Sequence, residues 1–173
     1  MNNDHSKKEK LYITAYESPA GWLTIVSDGK AVTGISFGRP EQPVTEENGL
    51  NREVIRQLKE YFAGKRREFS LPLSPAGTEF QKKVWSALQE IPYGETRTYK
   101  EIAGRCGNEK ACRAVGMANH VNPIGIVIPC HRVVGSNHTL IGYAGGLAAK
   151  QGMLALEADS CDGPSGSRIG QLF

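Results

Sequence analysis

Cys130 and His131 stand side by side in the run Pro129-Cys130-His131-Arg132-Val133-Val134. A thiol next to an imidazole is the pair from which a cysteine nucleophile is built. The thiolate is the attacking species, and a free cysteine titrates near ~8.5, so a neighbour must draw the proton away for the group to react at neutral pH. The preceding Ile124-Gly125-Ile126-Val127-Ile128 reads as a short buried strand stopped by Pro129, which predicts Cys130 at a strand end facing a cavity. Cysteine is also among the most buried residue types, and an inert core thiol is the competing reading. Cys, His and Arg in succession are not the composition of an ordinary apolar core. The cysteines at 106, 112 and 161 form neither a CxxC pair nor a CxxC-plus-His spacing, which argues against a zinc site and a disulfide scaffold. They are read as structural or incidental, and neither metal nor cofactor is expected.

The elements that must position this pair divide the chain in two. Three β-type runs come first, over residues 11–16, 22–27 and 31–37, separated by Ser18-Pro19-Ala20-Gly21 and by Asp28-Gly29, a hairpin signal. Apolar residues at 50, 54, 58, 61 and 62 then predict an amphipathic helix over 51–62, stopped by Gly64. Residues 65–76, with prolines at 72 and 75, read as a linker. Thr78 three residues before Gln81 is a capping-box signature ahead of Phe80, Val84, Ala87, Leu88 and Ile91. Thr98 and Glu101 form a second box, opening a short helix from Tyr99 to Arg105; after Gly107-Asn108 another helix is predicted over 109–119. Two short helices across a glycine-containing turn describe a helix-turn-helix, although such pairs also serve as plain packing units. Ala111, Ala114 and Ala118 form an i, i+3, i+7 stripe of small residues on the second helix, which on spacing alone favours helix packing.

Composition narrows the class. The 173 residues are 39% hydrophobic, enough for one or two small domains with a real core. No apolar stretch approaches the ~20 residues of a membrane span, and residues 1–10 are polar throughout, so no membrane partner is expected and the cytoplasm is the expected compartment. The formal net charge is only +3, and the excess sits with the motifs, where residues 78–157 carry nine Lys or Arg against six acids. Binding to nucleic acid would therefore be modest and salt-sensitive.

Residues 77–157 resemble the O6-alkylguanine-DNA alkyltransferases, the methylated-DNA-[protein]-cysteine S-methyltransferases, of the bacterial constitutive type. The likeness is carried by Phe80-Gln81-Lys82-Lys83-Val84-Trp85, Tyr93-Gly94-Glu95-Thr96-Arg97-Thr98-Tyr99, Arg113-Ala114-Val115-Gly116, Asn122-Pro123, the 129–134 block, Tyr143-Ala144-Gly145-Gly146-Leu147 and Leu156-Glu157. The N-terminal half is similar only in outline. The resemblance implies an α+β fold: a small N-terminal antiparallel sheet with a helix, ribonuclease H-like, over 1–76, a mostly helical DNA-binding and alkyl-acceptor domain with a helix-turn-helix over 77–160, and a flexible tail over 161–173.

It further implies DNA repair by direct damage reversal, in which an alkyl group passes stoichiometrically and irreversibly from O6-alkylguanine in duplex DNA, with O4-alkylthymine a further candidate, to Cys130. His131 takes the thiol proton through a water and Glu157 orients the imidazole, a relay of the general triad type. Glu157 read alone is an ordinary solvated carboxylate near a helix C-terminus, an unfavourable dipole position that hints at a cationic partner. The target base must be flipped out of the duplex. Arg113 is implied to fill the vacated stack, and Tyr99 to displace the flanking phosphate and donate a proton to the departing guanine. The helix with Ala111, Ala114 and Ala118 is implied to lie in the minor groove, where bulk does not fit and readout is largely sequence-blind. Asn122 is implied to brace the turn before the acceptor strand, Tyr143 with Ala144 and Gly145 to line the guanine pocket, and Lys150 to approach the base edge. Gly125 and Ala144 depart from relatives that carry proline and serine there, and both changes remove bulk. A monomer is expected. Two other classes compete: a protein that binds alkylated DNA without repairing it, against which the presence of Cys130 argues, and a helix-turn-helix regulator with a redox thiol, against which the lack of a dimer heptad or long basic recognition helix argues.

Overall fold

The computed structural model describes residues 9–161 and residue 173. Most of the tail assigned to 161–173, and most of the polar N-terminal segment, lie outside the described residues. Strands β1 (Tyr12–Ser18), β2 (Gly21–Ser27) and β3 (Val32–Phe37) form an antiparallel meander in that order. Ile13 pairs with Val26, and Ile25 with Ile35. Gly21 turns the first corner at φ 109°, a left-handed conformation open to glycine. At the second corner Asp28 Oδ1 accepts hydrogen bonds from the backbone N–H of Lys30 and Ala31, both at 2.8 Å, so the turn is a four-residue loop built on the aspartate.

Leu23, Ile25 and Ile35 are buried under helix α1 (Gly49–Phe62), which presses Val54, Leu58 and Tyr61 onto the sheet. The helix begins two residues before the predicted start because Asn48 caps it, its Oδ1 accepting from Asn51 N at 2.7 Å. The outer edge of β3 is covered by backbone rather than left open. Val32 N donates to Pro72 O at 2.8 Å and Ser74 N to Val32 O at 2.9 Å, so the predicted linker is docked along this edge. Further along, Ile35 N donates to Pro123 O and Gly125 N to Ile35 O, both at 2.9 Å.

Both predicted capping boxes form, at Thr78 with Gln81 and at Thr98 with Glu101. They start α2 (Glu79–Gln89) and α3 (Tyr99–Arg105). The second helix of the helix-turn-helix, α4 (Cys112–His120), begins three residues later than predicted. Asn108 claims the intervening backbone, its Oδ1 accepting from Lys110 N at 3.0 Å and its carbonyl from Ala111 N at 3.0 Å. Helix α5 (Leu147–Cys161) closes the described fold. A short parallel pair not anticipated from sequence, β4 (Arg97–Thr98) with β5 (Val133–Val134), ties the start of α3 to the segment after Cys130. One continuous apolar core, in which Trp85 is the bulkiest fully buried side chain, joins the sheet side to the helical side. Among the described residues no helix is long and apolar enough to cross a membrane.

Candidate active site

The run 124–128 is buried as predicted but is not a strand. Ile124 makes one isolated parallel bridge to Ile35, and the chain then turns. Val127 N donates to Gly125 O at 2.8 Å, with Ile126 between them at φ 70°. This is a γ-turn of the rare positive-φ kind, on a β-branched residue that is 1% exposed. Cys130 N then donates to Ile128 O at 2.8 Å, with Pro129 between them at φ −81° and ψ 63°, an inverse γ-turn. Two successive three-residue turns thus deliver Cys130 into a 3-10 turn, Cys130–Arg132, instead of a strand end. The apolar run reflects burial on all sides, which periodicity cannot distinguish from a central strand. Asn122 braces the whole segment, donating from Nδ2 to Ile128 O at 2.9 Å and accepting at Oδ1 from Ile124 N at 3.0 Å.

His131 and Glu157 meet in the interior, 0% and 1% exposed, with Nε2 and Oε2 3.0 Å apart. Glu157 is therefore the opposite of a solvated carboxylate. Its other oxygen, Oε1, accepts from Arg132 Nε at 2.7 Å and from Arg132 Nη2, while Arg132 Nη1 donates to Ile91 O at 2.8 Å. Burial alone would push the Glu157 carboxyl up, but the charges and hydrogen bonds of His131 and Arg132 prevail and hold it below the usual range. An ionised carboxylate only accepts, so the Nε2 facing it carries the proton, and in the neutral ring Nδ1 keeps its lone pair. Nδ1 is buried with no protein partner. Burial pushes the Cys130 thiol up, partly offset by the Asn122 side chain and the Lys150 charge, so the resting group is a thiol that must lose its proton before it can attack.

Cys130 opens into a cavity of about 570 Å³. Tyr99 and Arg113 line it from the helix-turn-helix, Asn122 and Gly125 from the turns before Cys130, and Tyr143 and Ala144 from the loop before α5. Burial raises the Tyr99 hydroxyl above its ordinary value, with the Asn119 side chain partly offsetting this, so it stands as a protonated donor at neutral pH. Tyr143 is raised well above its ordinary value by burial, and its hydroxyl has no protein partner.

Three predicted residues sit differently from their assigned roles. Lys150 is buried, with Nζ donating to Val133 O at 2.7 Å and Ile141 O at 3.0 Å, so it clasps the loop before α5 to the segment after Cys130 rather than reaching a base edge. Ala118 faces inward, 1% exposed, and its carbonyl accepts from Trp85 Nε1 at 2.9 Å. Ala111 is the residue before the helix, so of the small stripe only Ala114 lies on the exposed face of α4, beside Arg113. Gly145 meets the side chain of Phe37, from the N-terminal sheet.

Sequence reasoning gave no role to Arg132, Asn119 or the end of β3. A second cation following His131 between apolar residues calls for a buried anion, and that signal was present at Arg132. Asn119 Nδ2 donates to Cys130 O at 3.4 Å from within α4, which the sequence does not announce. Ile35, Ser36 and Phe37 line the cavity through a long-range approach of β3 with no local signature. No group of three or more His, Cys, Asp or Glu side chains among the described residues is arranged to hold a metal ion.

Two family profiles match the chain: "6-O-methylguanine DNA methyltransferase, ribonuclease-like domain" over residues 11–75 and "6-O-methylguanine DNA methyltransferase, DNA binding domain" over residues 79–159. A methylated-DNA–protein-cysteine methyltransferase of Methanosarcina acetivorans is 48% identical over 157 residues, 87% of this chain and 100% of the relative. The constitutive enzyme of that name from Bacillus subtilis is 46% identical, over 78% of this chain and 87% of its own. The crystal structure of Mycobacterium tuberculosis OGT in complex with DNA superposes with a TM-score of 0.81 at 41% identity, covering 91% of this chain and 98% of that one.

Proposed function

Because the chain belongs to the 6-O-methylguanine DNA methyltransferase family, we propose that Cys130 is the thiol onto which it draws the alkyl group. The protein repairs DNA by moving an alkyl group from the damaged strand to one of its own cysteines, as a methylated-DNA–protein-cysteine methyltransferase. The observation that carries the choice is the place of Cys130, in the cavity wall with a His131–Glu157 pair next along the same turn. Cys112 lines the same cavity, but its thiol donates to Glu109 O at 3.3 Å.

The relay follows from the charges. Glu157 holds the proton on His131 Nε2, which leaves Nδ1 to take the Cys130 proton through a bridging water. The sulfur attacks the alkyl carbon in line, the S–C bond forms, the C–O6 bond breaks, and its electron pair leaves with the guanine. The Tyr99 hydroxyl supplies the proton that neutralises the departing base. The product is a thioether, which no neighbouring group hydrolyses, so each protein acts once.

The DNA lies along the exposed face of α4 with Ala114 in the minor groove, and the damaged base swings into the cavity while Arg113 fills the gap. Tyr143 and the backbone around Ala144 and Gly145 receive it. Residues 1–76 support residues 77–160, which carry DNA binding and the acceptor. The protein works as a monomer in the cytoplasm. Cys130→Ala tests the assignment: transfer from an O6-methylguanine duplex should vanish while DNA affinity stays within a few fold. Continued transfer, with the methyl group on another cysteine, would displace Cys130, and a collapse of affinity would make it a structural residue.

A further inference from the structure

Phe37 ends β3, far in sequence from every motif of the helical half, yet its ring lines the same cavity as Cys130, Tyr143 and Ala144. The ring meets Tyr143 edge to face, with centroids 5.4 Å apart and planes at 71°. Gly145 lies against it so closely that a Cβ there would come within 2.7 Å of Phe37 Cδ1 and Cε1. A Cβ on Gly125 would stand 3.8 Å from Phe37 Cε2 and 3.2 Å from Ile35 O. Gly125, in the cavity wall, and Gly145, against the ring, thus both leave space that one phenylalanine from the other half of the molecule occupies. A benzyl side chain offers no hydrogen bond, so this wall discriminates by volume alone.

We propose that Phe37 sets the upper size of the alkyl group the protein accepts, closing with an apolar wall the end of the pocket that Gly125 and Gly145 would otherwise leave open. The ring is anchored by strand pairing to Leu23, and by Tyr143 on the pocket side, so it resists displacement by a bulky substituent. Small groups fit in front of it. The inference rests on the reading of this cavity as the alkylguanine pocket. It also gives the N-terminal sheet a part in selectivity beyond support.

The test is the single-turnover rate of transfer to Cys130 from duplexes carrying O6-methylguanine or O6-benzylguanine, at saturating DNA, for wild type, Phe37→Ala and Phe37→Leu. Removing several carbons from an apolar pocket wall shifts discrimination between small and large groups by ~10-fold or more. The benzyl-to-methyl rate ratio should rise by about that factor in Phe37→Ala and by less in Phe37→Leu, which keeps the site filled and carries the measurement if the alanine variant does not fold. An unchanged or lower ratio in the Phe37 variants, with both rates falling together, would mean that the ring only packs the loop, and would overturn the proposal. A wild type that places no alkyl group on Cys130 from either duplex would instead contradict the pocket assignment itself.

Discussion

Arg132 grips one oxygen of Glu157 and leaves the other to His131. Nε at 2.7 Å and Nη2 both bind Oε1, while His131 Nε2 is 3.0 Å from Oε2. The carboxylate thereby has its rotamer fixed and its charge offset before the imidazole makes any demand on it, and Nη1 ties the assembly to Ile91 O, just after α2. Removing one member of a buried ion pair strands the other, at a cost of about 3–5 kcal/mol. Arg132→Met should lose stability of that order in urea unfolding, against less than about 1 kcal/mol if the guanidinium is a bystander.

Glu157 makes the stability dependent on acid. Its folded carboxyl is held below its ordinary value, so its contribution is fully present above the unfolded value of ~4.3 and is lost as pH falls through the depressed folded value. The difference in unfolding free energy between wild type and Glu157→Gln should be largest near neutral pH and shrink below pH ~4. In the same variant alkylation should slow across neutral pH if His131 takes the thiol proton as proposed, because the imidazole loses its anionic partner. A pH-rate profile identical to wild type would remove Glu157 from the relay.

Ile126 sits at φ 70° in the first of the two turns that lead to Cys130. Alanine and glycine there remove nearly the same buried side chain, but only glycine releases the backbone. In an ordinary position glycine is the less stable of the two by roughly 0.5–1 kcal/mol. Here the order should invert, with Ile126→Gly more stable than Ile126→Ala by about 1 kcal/mol, while the looser turn slows alkylation in the glycine variant. The alanine variant melting higher than the glycine variant would show that no strain is stored at this turn.

Arg113 is exposed on α4 beside the cavity, and the proposed function has it fill the vacated stack. Arg113→Ala should cost ~2 kcal/mol, roughly thirtyfold in single-turnover rate at saturating DNA, only when the guanine is embedded in a duplex. A free O6-alkylguanine base needs no flipping and should react at nearly the wild-type rate. A loss confined to DNA affinity, with a salt slope shallower by about one, would mark a phosphate contact instead.

Local signals were legible in the sequence where local chemistry creates them. The capping boxes at Thr78 and Thr98, the meander and the amphipathic α1 all form, because each depends on residues within one turn or one hairpin. The strand expected over 124–128 failed, since burial from several directions writes the same apolar run as a central strand while the backbone follows γ-turns. Lys150 and Ala118 failed for a related reason: a cation and a small residue in a helical pattern do not show which way they point, and both point inward. The approach of β3 to the acceptor turn, through Ile35 and Phe37, is a contact between distant segments without any local mark.

The proposed repair stands on Cys130 accepting one alkyl group, irreversibly. Its most direct test is the intact mass of the protein after titration with an O6-methylguanine duplex, followed by mapping of the modified peptide. The account predicts a gain of one methyl group, located on Cys130, with yield rising to one per protein and no further however much duplex is added. Demethylation of several duplexes per protein, or a methyl group found on Cys106, Cys112 or Cys161, would contradict it.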